Sequence, residues 1–142
     1  MKKLIAACIC LLTIGIFPTT SAAEQPVPPR AFVGPQAKFY GYLTPVIAIS
    51  KGDSLTFSSF DLERHDFVQD VEVDGFGGAK KMPWCAKGHH HHKAEPCPIF
   101  WSKLIGLTES TEVQGLKNLE SGKTYSFFCT LHHGMKGKLV VQ

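Results

Sequence analysis

The chain has 142 residues, 44% of them hydrophobic and 19% charged, with a formal net charge of +3. That composition belongs to a folded chain of single-domain size, not to a disordered or many-span one. The near balance of charge excludes a strongly basic nucleic-acid or membrane-surface binder.

At the start, Met1-Lys2-Lys3 is a short positive stretch, Leu4 to Phe17 is apolar, and small residues at Ser21 and Ala23 precede Glu24. This pattern predicts a cleaved export signal over residues 1–23. The apolar run is short of the roughly 20 residues that a comfortable membrane span needs. Cys8, in Ile5-Ala-Ala-Cys8, has almost no hydrophobic region before it, which argues against lipidation. The mature chain, 24–142, would lose Lys2 and Lys3, leaving 13 basic residues against 12 acidic and a formal charge of +1. The expectation is a periplasmic or otherwise exported monomer without a membrane span.

Residues 24–37, rich in proline, read as an extended arm outside the core, with the folded domain over 38–142. Short runs rich in β-branched and aromatic residues then predict strands at Phe39–Tyr42, Val46–Ser50 and Ser54–Phe60, the last two joined by a turn at Gly52-Asp53. Alternation puts Leu55 and Phe57 toward the core, with Thr56 and Ser58 outward. From about 74 to 110 the composition turns rich in Gly, Lys, His and Pro, the mark of a long loop insertion. Phe100-Trp101 would pack that loop back onto the body. Leu104 to Glu109 fits either a short helix or a strand. Glu112–Leu116 reads as a strand and Lys117–Lys123 as a turn. There is no internal repeat.

Of the cysteines outside the signal, Cys85 and Cys97 flank one short loop-like segment, and in an exported domain they are expected to pair. The odd thiol, Cys129, then needs something to hold it, and a metal does so. Between those paired cysteines, His89-His90-His91-His92 form a contiguous tetrad on a flexible loop. Such imidazoles can chelate a divalent ion, so the tetrad is either a second, weaker copper or zinc site or a plain solvated loop.

The most informative stretch is the last. Tyr125-Ser-Phe-Phe-Cys129-Thr-Leu-His132-His133-Gly-Met135 places a thiol, an imidazole and a thioether three residues apart in one loop. An alternating strand leads in, and Lys138-Leu-Val-Val141 leads out. Thiolate and thioether suit Cu(I), and imidazole suits both copper oxidation states. A structural zinc site would want four Cys or His donors and has no use for Met135. Ordinary core packing is the competing role for Met135. Neighbours in an extended loop face opposite ways, so His133 should point away from the metal.

This stretch resembles the C-terminal copper loop of the cupredoxins, the small blue copper proteins, and its Cys-x-x-His-x-x-Met spacing is similar to the short-loop amicyanin type. The lead-in Leu119-x-x-Gly122-x-Thr-Tyr125-x-Phe-x-Cys129 and the trailing Met135-x-Gly137 also match. The phrase from Val46 to Phe57, with its Gly-Asp turn, is similar to the family's N-terminal hairpin. The resemblance implies an all-β Greek-key sandwich or barrel with one type 1 copper. It also implies His65 as the fourth ligand, since that is where the family places a His before an apolar pair. Asp66 stands where the family usually has Asn, whose side chain ties the two ligand loops together; an ionised carboxylate can accept but not donate in that tie.

Four protein donors leave no opening for a substrate, so the implied chemistry is one-electron transfer and not catalysis. By the same resemblance, a transient redox partner would meet the site at the exposed edge of His132, beside Leu131 and Gly134. The alternative is a copper carrier or resistance protein that binds the metal without passing electrons.

Overall fold

A computed structural model describes residues 27–75, 77 and 97–142 of the chain. The residues assigned to the export signal, Cys85 and His89 to His92 lie outside the described residues. The described part is the all-β sandwich expected from the sequence. Its strands are β1 (Arg30–Val33), β2 (Val46–Ile49), β3 (Thr56–Ser59), β4 (Val68–Gln69), β5 (Ser110–Glu112), β6 (Thr124–Phe128) and β7 (Lys136–Val141). One sheet has the order β1-β3-β5 and the other β2-β7-β6-β4. In each, one parallel pair (β1 with β3, β2 with β7) sits beside antiparallel neighbours. Two single-turn helices, α1 (Ala37–Tyr40) and α2 (Val71–Asp74), complete the regular structure used below.

Alternation builds the core. Leu55 and Phe57 are fully buried, as are Tyr125 and Phe127 on β6 and Leu139 on β7. Phe67 stacks on Phe127 with centroids 4.0 Å apart, and Tyr42 meets Phe57, Phe67 and Phe127 edge-on. Such offset and edge-to-face pairs add roughly 0.5–1.5 kcal/mol each beyond the area they bury. The Tyr42 hydroxyl donates to the Asp66 carbonyl at 2.5 Å, so the ring's one polar atom is satisfied inside the core. Burial raises the phenol's pKa well above its ordinary value, the charges of Cys129 and Asp66 adding to the effect.

Several sequence expectations change on folding. The proline-rich arm is not outside the core: Arg30–Val33 is a strand in parallel register with β3, and Ala31 and Val33 are fully buried. Phe39–Tyr42 is not a strand; α1 takes its first two residues, leaving Phe39 and Tyr40 on the surface. The strands flanking Gly52-Asp53 do not pair as a hairpin, because β2 joins β7 while β3 joins the other sheet. The turn itself forms as the sequence dictates. Gly52 takes a φ of +95°, and the Asp53 carboxylate accepts the Ser50 N–H at 2.8 Å. Finally, Ser58 is buried on the opposite face of the strand from Phe57, where its hydroxyl shares a hydrogen bond with that of Ser110 at 2.8 Å.

Within the expected insertion, the described part beyond 96 is not a free loop. Phe100 is fully buried, Trp101 bridges Val68 and Gln114, and Ile105 bridges His65. Leu104 to Glu109 forms neither a helix nor a strand, and the strand expected at Glu112–Leu116 lies earlier, at β5.

Gly137 shows how tightly β6 and β7 pack. It lies opposite Phe127 in the β6–β7 register, and the Phe127 ring occupies the space above it. A Cβ there would sit 2.2 Å from Phe127 Cζ and 2.6 Å from the Pro45 carbonyl oxygen. Gly137→Ala should therefore lower the unfolding free energy by about 1–3 kcal/mol, the usual cost of overpacking, with a matching drop in the urea midpoint.

Candidate metal centre

The site is assembled by the alternation of two neighbouring strands. Tyr125 and Phe127 face inward on β6, and Cys129, next in that series, is fully buried. On β7, Leu139 and Val141 face inward, and Gly137 and Met135 continue that series back toward the loop. The register that sets Phe127 opposite Gly137 brings Cys129 opposite Met135, and the Cys129 N–H donates to the Met135 carbonyl at 3.1 Å. Between them, two turns close: His132 N–H to Cys129 O at 3.2 Å, and Met135 N–H to His132 O at 2.8 Å. These turns compress the loop until His132 Nδ1 stands 3.6 Å from Cys129 Sγ. Met135 is fully buried.

His65 arrives from the other side of the chain. Its backbone is clamped by two hydrogen bonds to Ile105, at 2.9 and 2.8 Å, and its side chain is fully buried. Its Nδ1 lies 3.9 Å from Cys129 Sγ, and its ring centroid is 4.7 Å from that of His132. The donor atoms of His65, Cys129 and His132 all lie within 4.8 Å of one another. His133 is exposed and stacks on Phe128, outside that group.

Asp66 ties the segment that carries His65 to the loop that carries Cys129 and His132. Its Oδ1 accepts the Thr130 N–H at 2.7 Å and its Oδ2 accepts the Thr130 hydroxyl at 2.5 Å, across 64 residues of sequence. A carboxylate thus serves in place of an amide, because both groups it meets are donors.

Two further carboxylates, which no sequence motif marks, face the imidazoles. His65 Nε2 lies 3.0 Å from Asp61 Oδ2, and His132 Nε2 lies 2.7 Å from Glu63 Oε2. The His132 edge expected to be open to a partner is therefore partly covered, and its side chain is only 16% exposed. Glu63 also pairs with Lys38, and Asp61 Oδ2 accepts the Ala37 N–H at 2.9 Å. Only the proximity of Asp61 and Glu63 to His65 in the sequence could have pointed to them.

Electrostatics follow from burial. Desolvation raises the Cys129 thiol's pKa, only partly offset by the backbone N–H groups of Asp66, Leu131 and His132. Burial lowers the pKa of His65 against the opposing pull of Asp61. Burial also pushes Asp61 upward, but the amide of Ala37 and the His65 ring outweigh it, and its carboxyl sits below the ordinary range. Lys38 foremost draws Glu63 down. The metal-free site thus favours a thiol beside a neutral imidazole, and a metal binding there must displace the thiol proton.

The donor set, one thiol and two imidazoles in a buried cluster with a thioether at the loop's end, fits copper better than harder ions. The comparisons agree. The sequence pattern of the copper-binding proteins of the plastocyanin/azurin family matches residues 32–142, and the chain belongs to that family. Among solved structures it is similar to amicyanin from Paracoccus versutus, with 17% identity, a TM-score of 0.52 and 85% of this chain and 87% of that one covered. It is also similar to a purple cupredoxin from Nitrosopumilus maritimus, with 16% identity, a TM-score of 0.53 and 80% and 99% covered. No curated protein matches. The fold is that of a cupredoxin.

Removing the Asp66 carboxylate strands the Thr130 donors at the ligand loop. Asp66→Ala should cost about 1–3 kcal/mol in chemical denaturation, while Asp66→Asn, which keeps an acceptor and adds a donor, should cost clearly less.

Proposed function

We propose that this chain is an exported, monomeric type 1 copper protein that passes single electrons between transient protein partners. His65, Cys129, His132 and Met135 would hold the metal. The observation that carries this reading is the convergence of the donor atoms of His65, Cys129 and His132 within 4.8 Å, with Nδ1 of the two rings 3.9 and 3.6 Å from Cys129 Sγ. Copper bound there would supply a reversible one-electron couple.

The chain's own residues do the rest. Cys129 would give up its proton and bind as thiolate, the two imidazoles would present Nδ1, and the buried Met135 would complete the set. Four protein donors leave no position for a substrate, which supports a carrier and not an enzyme. The Ile105 clamp and the Asp66 tie hold the ligand loops in place before metal binds, so a change of charge requires little rearrangement of the surroundings.

The signal pattern over residues 1–23 supports export, and an oxidising compartment supports a Cys85–Cys97 disulfide. No helix among the described residues is long and apolar enough to cross a membrane. Partners would approach near His132, where Leu131 is exposed.

Copper-loaded wild type should show an intense visible band from the thiolate–copper bond. Cys129→Ser should abolish it, since a hydroxyl replaces the thiolate. Met135→Leu should keep the colour and raise the reduction potential, because the thioether helps to stabilise Cu(II). A visible band retained in Cys129→Ser would sink the assignment.

The His89–His92 tetrad favours a second reading, a copper carrier or resistance protein with an extra loop site for copper or zinc. Calorimetry at neutral pH should find about one more equivalent of metal bound by wild type than by a variant with all four His changed to Ala. Imidazole ionises near pH 6.5, so that extra equivalent should fade in acid. Equal stoichiometry in both proteins would leave the tetrad a solvated loop.

A further inference from the structure

Both imidazoles of the cluster carry a carboxylate on the nitrogen facing away from Cys129, and both carboxylates come from one three-residue stretch, Asp61-Leu62-Glu63. Each ring is thus fixed at two points. Nδ1 of His65 and of His132 faces the thiol, at 3.9 and 3.6 Å, while Nε2 faces Asp61 or Glu63. A carboxylate is an acceptor only, so it requires the proton on Nε2 and leaves the Nδ1 lone pair free. It also makes the imidazole a stronger donor and places negative charge near the metal position. Both effects favour the higher oxidation state.

We propose that Asp61 and Glu63 are positioning residues of the copper site, selecting the Nε2–H tautomer of His65 and His132 and shifting the bound metal's balance toward Cu(II). This rests on the copper reading above. The two are not equal in strength. Asp61 is buried, with its side chain 8% exposed, and among the described residues it pairs with the His65 ring and with no lysine or arginine. Glu63 is 40% exposed and shared with Lys38, so solvent, salt and the ammonium all weaken its influence.

The test uses Asp61→Asn and Glu63→Gln in the full chain, since each replacement keeps the shape and an acceptor while removing the charge. Voltammetry of the copper-loaded proteins should show higher potentials in both variants. For Asp61→Asn the shift should reach about tenfold in the ratio of Cu(II) to Cu(I) affinity, or about 59 mV for a one-electron couple. For Glu63→Gln it should be about threefold and shrink further with added salt, in line with surface screening. Should Asp61→Asn fail to fold, the exposed Glu63→Gln decides the sign on its own. Nitrogen-15 spectra of the metal-free wild type in mildly alkaline solution, where free imidazole is neutral, should show Nε2–H tautomers for both rings.

Unchanged or lowered potentials with the visible band intact would overturn the proposal, as would an Nδ1–H tautomer at His65. A wild type with no visible band and no reversible couple would instead overturn the electron-transfer reading and the bias with it. The tautomer spectra, recorded without metal, would still decide the positioning role.

Discussion

The centre depends on one register. Because β6 and β7 pair with Phe127 opposite Gly137, the next inward positions toward the loop are Cys129 and Met135, and they face one another at the end of the core. A shift of one residue would turn every side chain of a strand to the opposite face, putting the thiol in water and the charged or polar neighbours inside. The register is protected by what it buries. Phe127 fits only over a glycine, while Tyr125, Leu139 and Val141 are all inside. The thiol's position is therefore a consequence of core packing several residues away.

A buried thiol and two mostly buried imidazoles are expensive to assemble unless their polar atoms are satisfied. Here the polar groups around the cluster are paired by long-range bonds. Asp66 reaches Thr130, Ile105 holds the His65 backbone, and Asp61 and Glu63 take the outer imidazole nitrogens. No buried side-chain nitrogen or oxygen among the described residues is left without a partner. The same contacts that make the cluster affordable also immobilise it.

What could be read from the sequence was local. The three-residue spacing of Cys129, His132 and Met135, the alternation of β6 and of the end of β7, and the Gly52-Asp53 turn each depend on a few consecutive residues. The misses share a cause in long-range pairing. Arg30–Val33 looks like part of a proline-rich leader, and only its parallel partner β3 makes it a strand. Phe39 and Tyr40 have strand-like side chains, but no sheet edge receives them, and the chain turns back as α1. The Val46–Phe57 phrase shows two strands correctly yet says nothing of which sheet each one joins. Ile105 has no motif at all; its role exists only because its backbone meets that of His65. Asp66 shows the limit most clearly, since whether a carboxylate can replace an amide there depends on Thr130, far along the chain.

The segment at α1 stands behind both histidines of the cluster. Its first residue, Ala37, donates its N–H to Asp61, and the next, Lys38, pairs with Glu63. One helical turn therefore contacts the carboxylate of His65 through a buried backbone donor and that of His132 through an exposed ammonium. The first contact lies in a poorly solvated place and carries no counter-charge, so Asp61 keeps its full negative charge close to its imidazole. The second neutralises Glu63 at the surface, where an ion pair is worth little and is easily exchanged for water. The two histidines are in this way held by chemically similar groups with different permanence: His65 fixed in the interior, and His132 at the rim with a partner that can be released.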